Sequence, residues 1–192
     1  MSIRSYLILA VIIVLHSSSF TFAEPKPEKI GGKTPQQILK MLGAKDRDAV
    51  TDRQLESYGR IFGFMDTNRD GFHSEKEFIE DGRYLTRQAR QGIFRASDSN
   101  NDKKVSKKEY IENRIITDEA KSIYEKMDTN KDGKLTAEEF STNSKIKNKS
   151  LAGQVFTALD TGQNGELNVP EYLRTWGRWA RSVSKKKKVA VQ

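Results

Sequence analysis

Apolar residues stand one, four and five places ahead of aspartates that recur at intervals of about thirty residues. Ile61, Phe62 and Met65 precede Asp66; Ile123, Tyr124 and Met127 precede Asp128; Val155, Phe156 and Leu159 precede Asp160. Before Asp98 the set is Ile93 and Phe94, with Ser97 in the last place. These offsets draw one face of a helix at 3.6 residues per turn. Eleven residues after each aspartate comes a glutamate (Glu77, Glu109, Glu139, Glu171), followed at once by an aromatic: Phe78, Tyr110, Phe140 or Tyr172. Three places before each glutamate lies Ser74, Ser106, Thr136 or Asn168, a residue type that caps helix N-termini. The pattern predicts an all-α chain with a helix running into and out of each of four twelve-residue polar loops.

Within the loops the oxygen-bearing side chains fall at fixed places. A Ca²⁺ ion takes six to eight oxygens, and a twelve-residue loop supplies them from positions 1, 3, 5, 7, 9 and 12, turning at a glycine in position 6. The first loop offers Asp66, Asn68, Asp70, the Phe72 carbonyl, Ser74 through water and Glu77, with Gly71 at the turn. The third is equally complete: Asp128, Asn130, Asp132, the Lys134 carbonyl, Thr136 and Glu139, turning at Gly133. The second has Asp98, Asn100, Asp102, the Lys104 carbonyl, Ser106 and Glu109, but Lys103 at the turn. A non-glycine residue held left-handed costs roughly 1–2 kcal/mol, so this loop is expected to bind with lowered affinity. The fourth offers Asp160, Asn164, the Glu166 carbonyl, Asn168 and Glu171 around Gly165. Its third position is Gly162, without a side-chain oxygen, and its fifth is neutral. It is either a weak site or a loop that keeps the shape and partners the third. The position-eight residues, His73, Val105, Leu135 and Leu167, are expected to form a short strand bridge between neighbouring loops, with His73 as a packed ring.

From Thr51 to about Trp179 the chain resembles the EF-hand superfamily, in the four-hand arrangement of calmodulin-like members. The resemblance implies two lobes, each a pair of helix-loop-helix units with a two-stranded bridge between loops, and calcium as the ligand. Lys103 and Gly162 are the departures. The domain reading is then a segment 1–23, a connector and short helix over 24–50, a first pair over 51–115, a second over 116–182 and a basic disordered tail over 183–192.

Arg4, the apolar run Tyr6–Leu15 and Thr21-Phe22-Ala23 have the layout of a cleavable secretory signal. The run is too short to span a bilayer, which takes about 20 residues. The expected location is extracytoplasmic (secreted, periplasmic or luminal), and the terminal Val-Ala-Val-Gln is not an acidic retention tail. Thr34-Pro35-Gln36-Gln37 reads as a helix start, Gly43 as its stop, and Ile38, Leu39 and Leu42 as a face that covers an apolar groove. Asn148-Lys149-Ser150 fits an N-glycosylation acceptor.

The 192 residues carry a net charge of +8 and no cysteine, so metal ions replace disulfides as the expected source of extra stability. The acids cluster in the loops; Arg174, Arg178, Arg181 and Lys185 to Lys188 gather at the C-terminal end. There Tyr172, Leu173 and Trp176 are expected to close a core, while the basic residues offer a protein partner or an anionic surface a binding face. Nucleic acid is not an expected partner for an exported chain. One histidine outside the signal and no cysteine give little for acid–base or nucleophilic work, so no enzyme is expected. Only Met41, Met65 and Met127 lie beyond the signal, too few for a broad adaptable groove, which favours buffering or structural roles over sensing.

Overall fold

The structure, a computed structural model, describes residues 29–45 and 50–189; residues 1–23, expected to be a secretory signal, lie outside the described residues. Among the described residues seven α-helices follow in order: α1 (Pro35–Leu42), α2 (Asp52–Met65), α3 (Arg87–Ser97), α4 (Lys107–Met127), α5 (Ala137–Asn143), α6 (Lys149–Leu159) and α7 (Val169–Val189). Four three-residue strands sit in the loops: β1 (Phe72–Ser74), β2 (Lys104–Ser106), β3 (Lys134–Thr136) and β4 (Glu166–Asn168). β1 pairs antiparallel with β2, placing His73 opposite Val105, and β3 pairs with β4, placing Leu135 opposite Leu167.

Local chemistry sets the helix ends. Thr34, Thr51, Ser106 and Thr136 each accept from the amide three residues on, and the Gln or Glu at that place reaches back to the cap's own amide. Thr86 and Asn148 cap α3 and α6; Asn148 takes the Leu151 amide on its side-chain oxygen, so the glycosylation-type asparagine is engaged in a cap. Gly43 ends α1 at φ +106°, a conformation favouring glycine.

The buried side chains form two clusters. One joins Tyr58 and Phe62 of α2, Phe78 and Ile79, Phe94 of α3, Val105 of β2 and Tyr110 of α4. The other is larger and gathers side chains from α1, the C-terminal half of α4, β3, α5, α6, β4 and α7. Tyr172, Trp176 and Trp179 are buried in it. α4 serves both clusters without a break, so the boundary expected at residue 115 falls inside a helix of 21 residues. Polar contacts hold the two halves together there. Tyr58 donates to Asp118 at 2.9 Å, Arg114 to the same carboxylate at 3.0 Å, and Arg181 of α7 to Asn113 at 3.1 Å.

Three features differ from the sequence-based expectation. Ile61, expected on the buried face of α2, is 39% exposed, because Tyr58 and Phe62 fill that face. The helix expected after Glu77 is a five-residue π-helical turn, Lys76–Glu80. It stops because Arg90 donates to the Ile79 carbonyl at 2.7 Å and the chain folds back at Gly82, where a Cβ would lie 2.6 Å from the Phe78 carbonyl oxygen. Third, α7 continues to Val189, past residue 183 where a disordered tail was expected to start. Lysine is a good helix former, and no glycine or proline interrupts the run from Arg178 onward.

Candidate metal centres

Each loop starts where a helix stops. Asp66, Asp98, Asp128 and Asp160 are the C-caps of α2, α3, α4 and α6, so each opening carboxylate sits at the negative end of a helix, where a cation is favoured. Asp66, Asp128 and Asp160 are buried, as are Glu77 and Glu171. Burying like charges together is costly unless a cation or directed N–H groups compensate.

Much of that compensation is backbone. The residue at position six donates its amide to the opening aspartate in every loop: Gly71 to Asp66 at 3.0 Å, Lys103 to Asp98 at 3.0 Å, Gly133 to Asp128 at 3.1 Å and Gly165 to Asp160 at 2.9 Å. This closure needs the left-handed region, and φ is +84°, +64°, +81° and +79° at these four residues. Position four is left-handed too, although none of its occupants is glycine: Arg69, Asn101, Lys131 and Gln163 lie at φ +53° to +60°. At position three, Asn68, Asn100 and Asn130 turn their side-chain oxygens to the position-five amide at 3.0 Å. Asp70, Asp102, Asp132 and Asn164 accept in turn from Phe72, Lys104, Lys134 and Glu166, whose carbonyls belong to the expected ligand sets.

The closing glutamates of the first two loops are held from two sides. Glu77 accepts from the amide and hydroxyl of Ser74 on one oxygen and from Thr67 and Asn68 on the other. Burial pushes its pKa up, but the Ser74, Asn68 and Thr67 donors outweigh this and bring it down to about 2. Glu109 is treated alike: burial raises its pKa, and Ser106 and Ser99 pull it below the usual carboxylate range. Ser74, expected to reach an ion through water, and Ser106 and Thr136, expected as ligands, hold the closing glutamate at 2.7, 2.8 and 3.0 Å. In the fourth loop Asn168 accepts from the Glu171 amide at 2.9 Å, while Glu171 turns an oxygen to Thr161 and Gly162. A side chain at Gly162 would meet that oxygen at 3.2 Å.

The opening aspartate of the third loop differs from the others in one atom. Asp66, Asp98 and Asp160 each give Oδ1 to the amide at position five, at 3.1 to 3.2 Å. The matching atom of Asp128 is buried and has no hydrogen-bond partner. An unpaired carboxylate oxygen in this position is what a hard, oxygen-seeking cation such as Ca²⁺ takes. Among the described residues no group of three or more His, Cys, Asp and Glu side chains forms a preassembled metal cluster. The loops' remaining oxygen donors are asparagine amides, hydroxyls and backbone carbonyls, a mixed oxygen set that suits calcium.

Several supporting residues are not evident from the ligand spacing. Thr67, Ser99 and Thr161 at position two bond the closing glutamate, at 2.8 to 3.0 Å. A hydroxyl at that place in all four loops is the signal that marks them. Tyr124 donates within reach of both the Gly133 carbonyl (2.9 Å) and the Leu167 carbonyl (2.7 Å), linking the third loop to the fourth. Burial pushes its phenol well up, so it remains a donor. Lys134 and Glu166 join the same loops at 2.6 Å. His73 is a packed ring as expected, stacked on Phe62 at 4.0 Å with Nε2 2.9 Å from the Phe62 carbonyl; burial lowers its pKa, which keeps it neutral.

A family model described as EF hand matches residues 125–142, the third loop with its flanks. That match supports the EF-hand superfamily and points to calcium as the ligand. No curated protein matches the chain. Among solved structures, the crystal structure of a C-terminal domain of another protein is similar at 14% identity and a TM-score of 0.33. The likeness covers 76% of this chain and 89% of that one.

Proposed function

We propose that this protein is a non-enzymatic, extracytoplasmic calcium-binding protein built as two paired EF-hand lobes, in which bound ions stabilise the fold and buffer calcium. The observation that carries the reading is the buried, partnerless Oδ1 of Asp128 in a loop whose Asp132, Gly133 and Lys134 amides are all engaged by its own side chains. The repetition of the same loop closure in the other three, around β1–β2 and β3–β4, extends it to four candidate sites. Loops 1 and 3 hold full ligand sets, loop 2 binds more weakly, and loop 4 is the weakest or a structural partner. Among the described residues no helix is long and apolar enough to cross a membrane.

Unfolding the protein by denaturant in calcium and in chelator tests the stabilising role. Calcium at about 100 times the dissociation constant raises unfolding free energy by about 2.7 kcal/mol per filled site. Equal midpoints in the two buffers would dismiss it.

A second reading is favoured by the exposure of Arg174 and Arg178 on a helix that runs on through Lys185 to Lys188. Here the calcium-stabilised body presents α7 to an anionic membrane or polyanion. Deleting Ser184 to Gln192 then abolishes salt-sensitive retention on heparin or anionic vesicles. An intact protein that is not retained at all rules this reading out.

A further inference from the structure

We infer that the face formed by α4 and α7 is a docking site for an amphipathic helix, and that α1 is its occupant in cis. α1 has eight residues, well below the roughly 12–15 at which an isolated helix becomes marginally stable in water. It is helical because it is docked. Ile38, Leu39 and Leu42 are 0%, 6% and 2% exposed, and they share a cluster with Ile116 and Ala120 of α4 and Trp176 and Trp179 of α7.

The chain connection does not dictate this placement. α1 immediately precedes α2, whose buried residues belong to the other cluster, yet α1 packs on residues about 80 to 140 positions further on. Side-chain complementarity selects the site. Polar bonds fasten both ends, Gln36 to Ser182 at 2.7 Å and the Lys45 amide to Glu119 at 2.6 Å. The face therefore recognises a helix with apolar residues at i, i+1 and i+4, a polar side chain two residues before the first and a backbone amide three residues after the last. Tethering makes α1 hard to displace, because a segment on a short linker acts at an effective concentration on the order of millimolar. Docking rests on this packing and does not depend on whether the loops hold calcium.

Both tryptophans of the protein lie on this face, which supplies the readout. The probe is a synthetic peptide of residues 33–45, which contains no tryptophan. In the full chain carrying Ile38→Glu and Leu42→Glu, tryptophan emission shifts to the red as Trp176 and Trp179 meet water. Adding the peptide reverses the shift saturably, while the unsubstituted chain binds it at least about tenfold more weakly. If the charged variant does not fold, Ile38→Ala with Leu42→Ala supplies the same measurement. A folded variant that ignores the peptide overturns the inference, as does equal binding to the unsubstituted chain. Loss of the fold in both variants also overturns it, because α1 would then be an integral part of the core. Measuring in calcium and again in chelator keeps this result separate from the calcium reading.

Discussion

Lys103 adopts φ +64° where the other three loops use glycine, and its amide still reaches Asp98 at 3.0 Å. The loop closes despite the strain of a Cβ in that region. Lys103→Gly should therefore raise stability by about 1 kcal/mol and tighten calcium at the second loop, read from denaturant midpoints and calorimetry. Glu77 gives a pH signature at the same scale. Its folded pKa of about 2 lies below the usual 4.5, so its contribution is fully present above about pH 4.5 and fades as pH falls towards 2. In chelator, the stability gap between the unsubstituted protein and Glu77→Gln should close over that interval. A gap that stays constant would mean that the hydroxyl and amide cradle does not favour the charged form.

Among the elements, those with a strong period and a cap are legible in the amino-acid sequence. Offsets of one, four and five residues place the entering helices, and the Ser or Thr three before each glutamate places the starts of α4 and α5. The bridge pairs His73–Val105 and Leu135–Leu167 follow from the loop repeat. What stays hidden depends on contacts distant in sequence. Arg90 taking the Ile79 carbonyl shortens the helix after the first loop, and Tyr58 leaves Ile61 outside the core. The ligand positions can be read from spacing, whereas the left-handed residues at position four carry no glycine to announce them. Tyr124 shows how such a distant contact bears on function, since it belongs to α4 but bonds carbonyls of two loops. Tyr124→Phe should cost about 1–3 kcal/mol, because buried acceptors lose their donor. It should also weaken calcium at the third and fourth loops and leave the first two unchanged, seen as a selective loss of binding heat.

Across the whole molecule, α4 makes the two clusters a single continuous body. Tyr58, Arg114 and Asp118 tie its midpoint to α2, while Arg181 and α1 tie it to α7. The net charge of +8 divides along this body, with acids gathered in the loops and basic residues on and beyond the exposed side of α7. Filling the loops with divalent cations removes much of the repulsion among the acids, which is how ion binding becomes folding free energy. The decisive experiment is calorimetric titration of calcium into the protein lacking residues 1–23, beside its Asp128→Ala variant. Two stronger sites, one weaker site and at most one faint site are expected, with one of the stronger two lost in the variant. No binding heat, or an isotherm unchanged by Asp128→Ala, would contradict calcium binding through these loops.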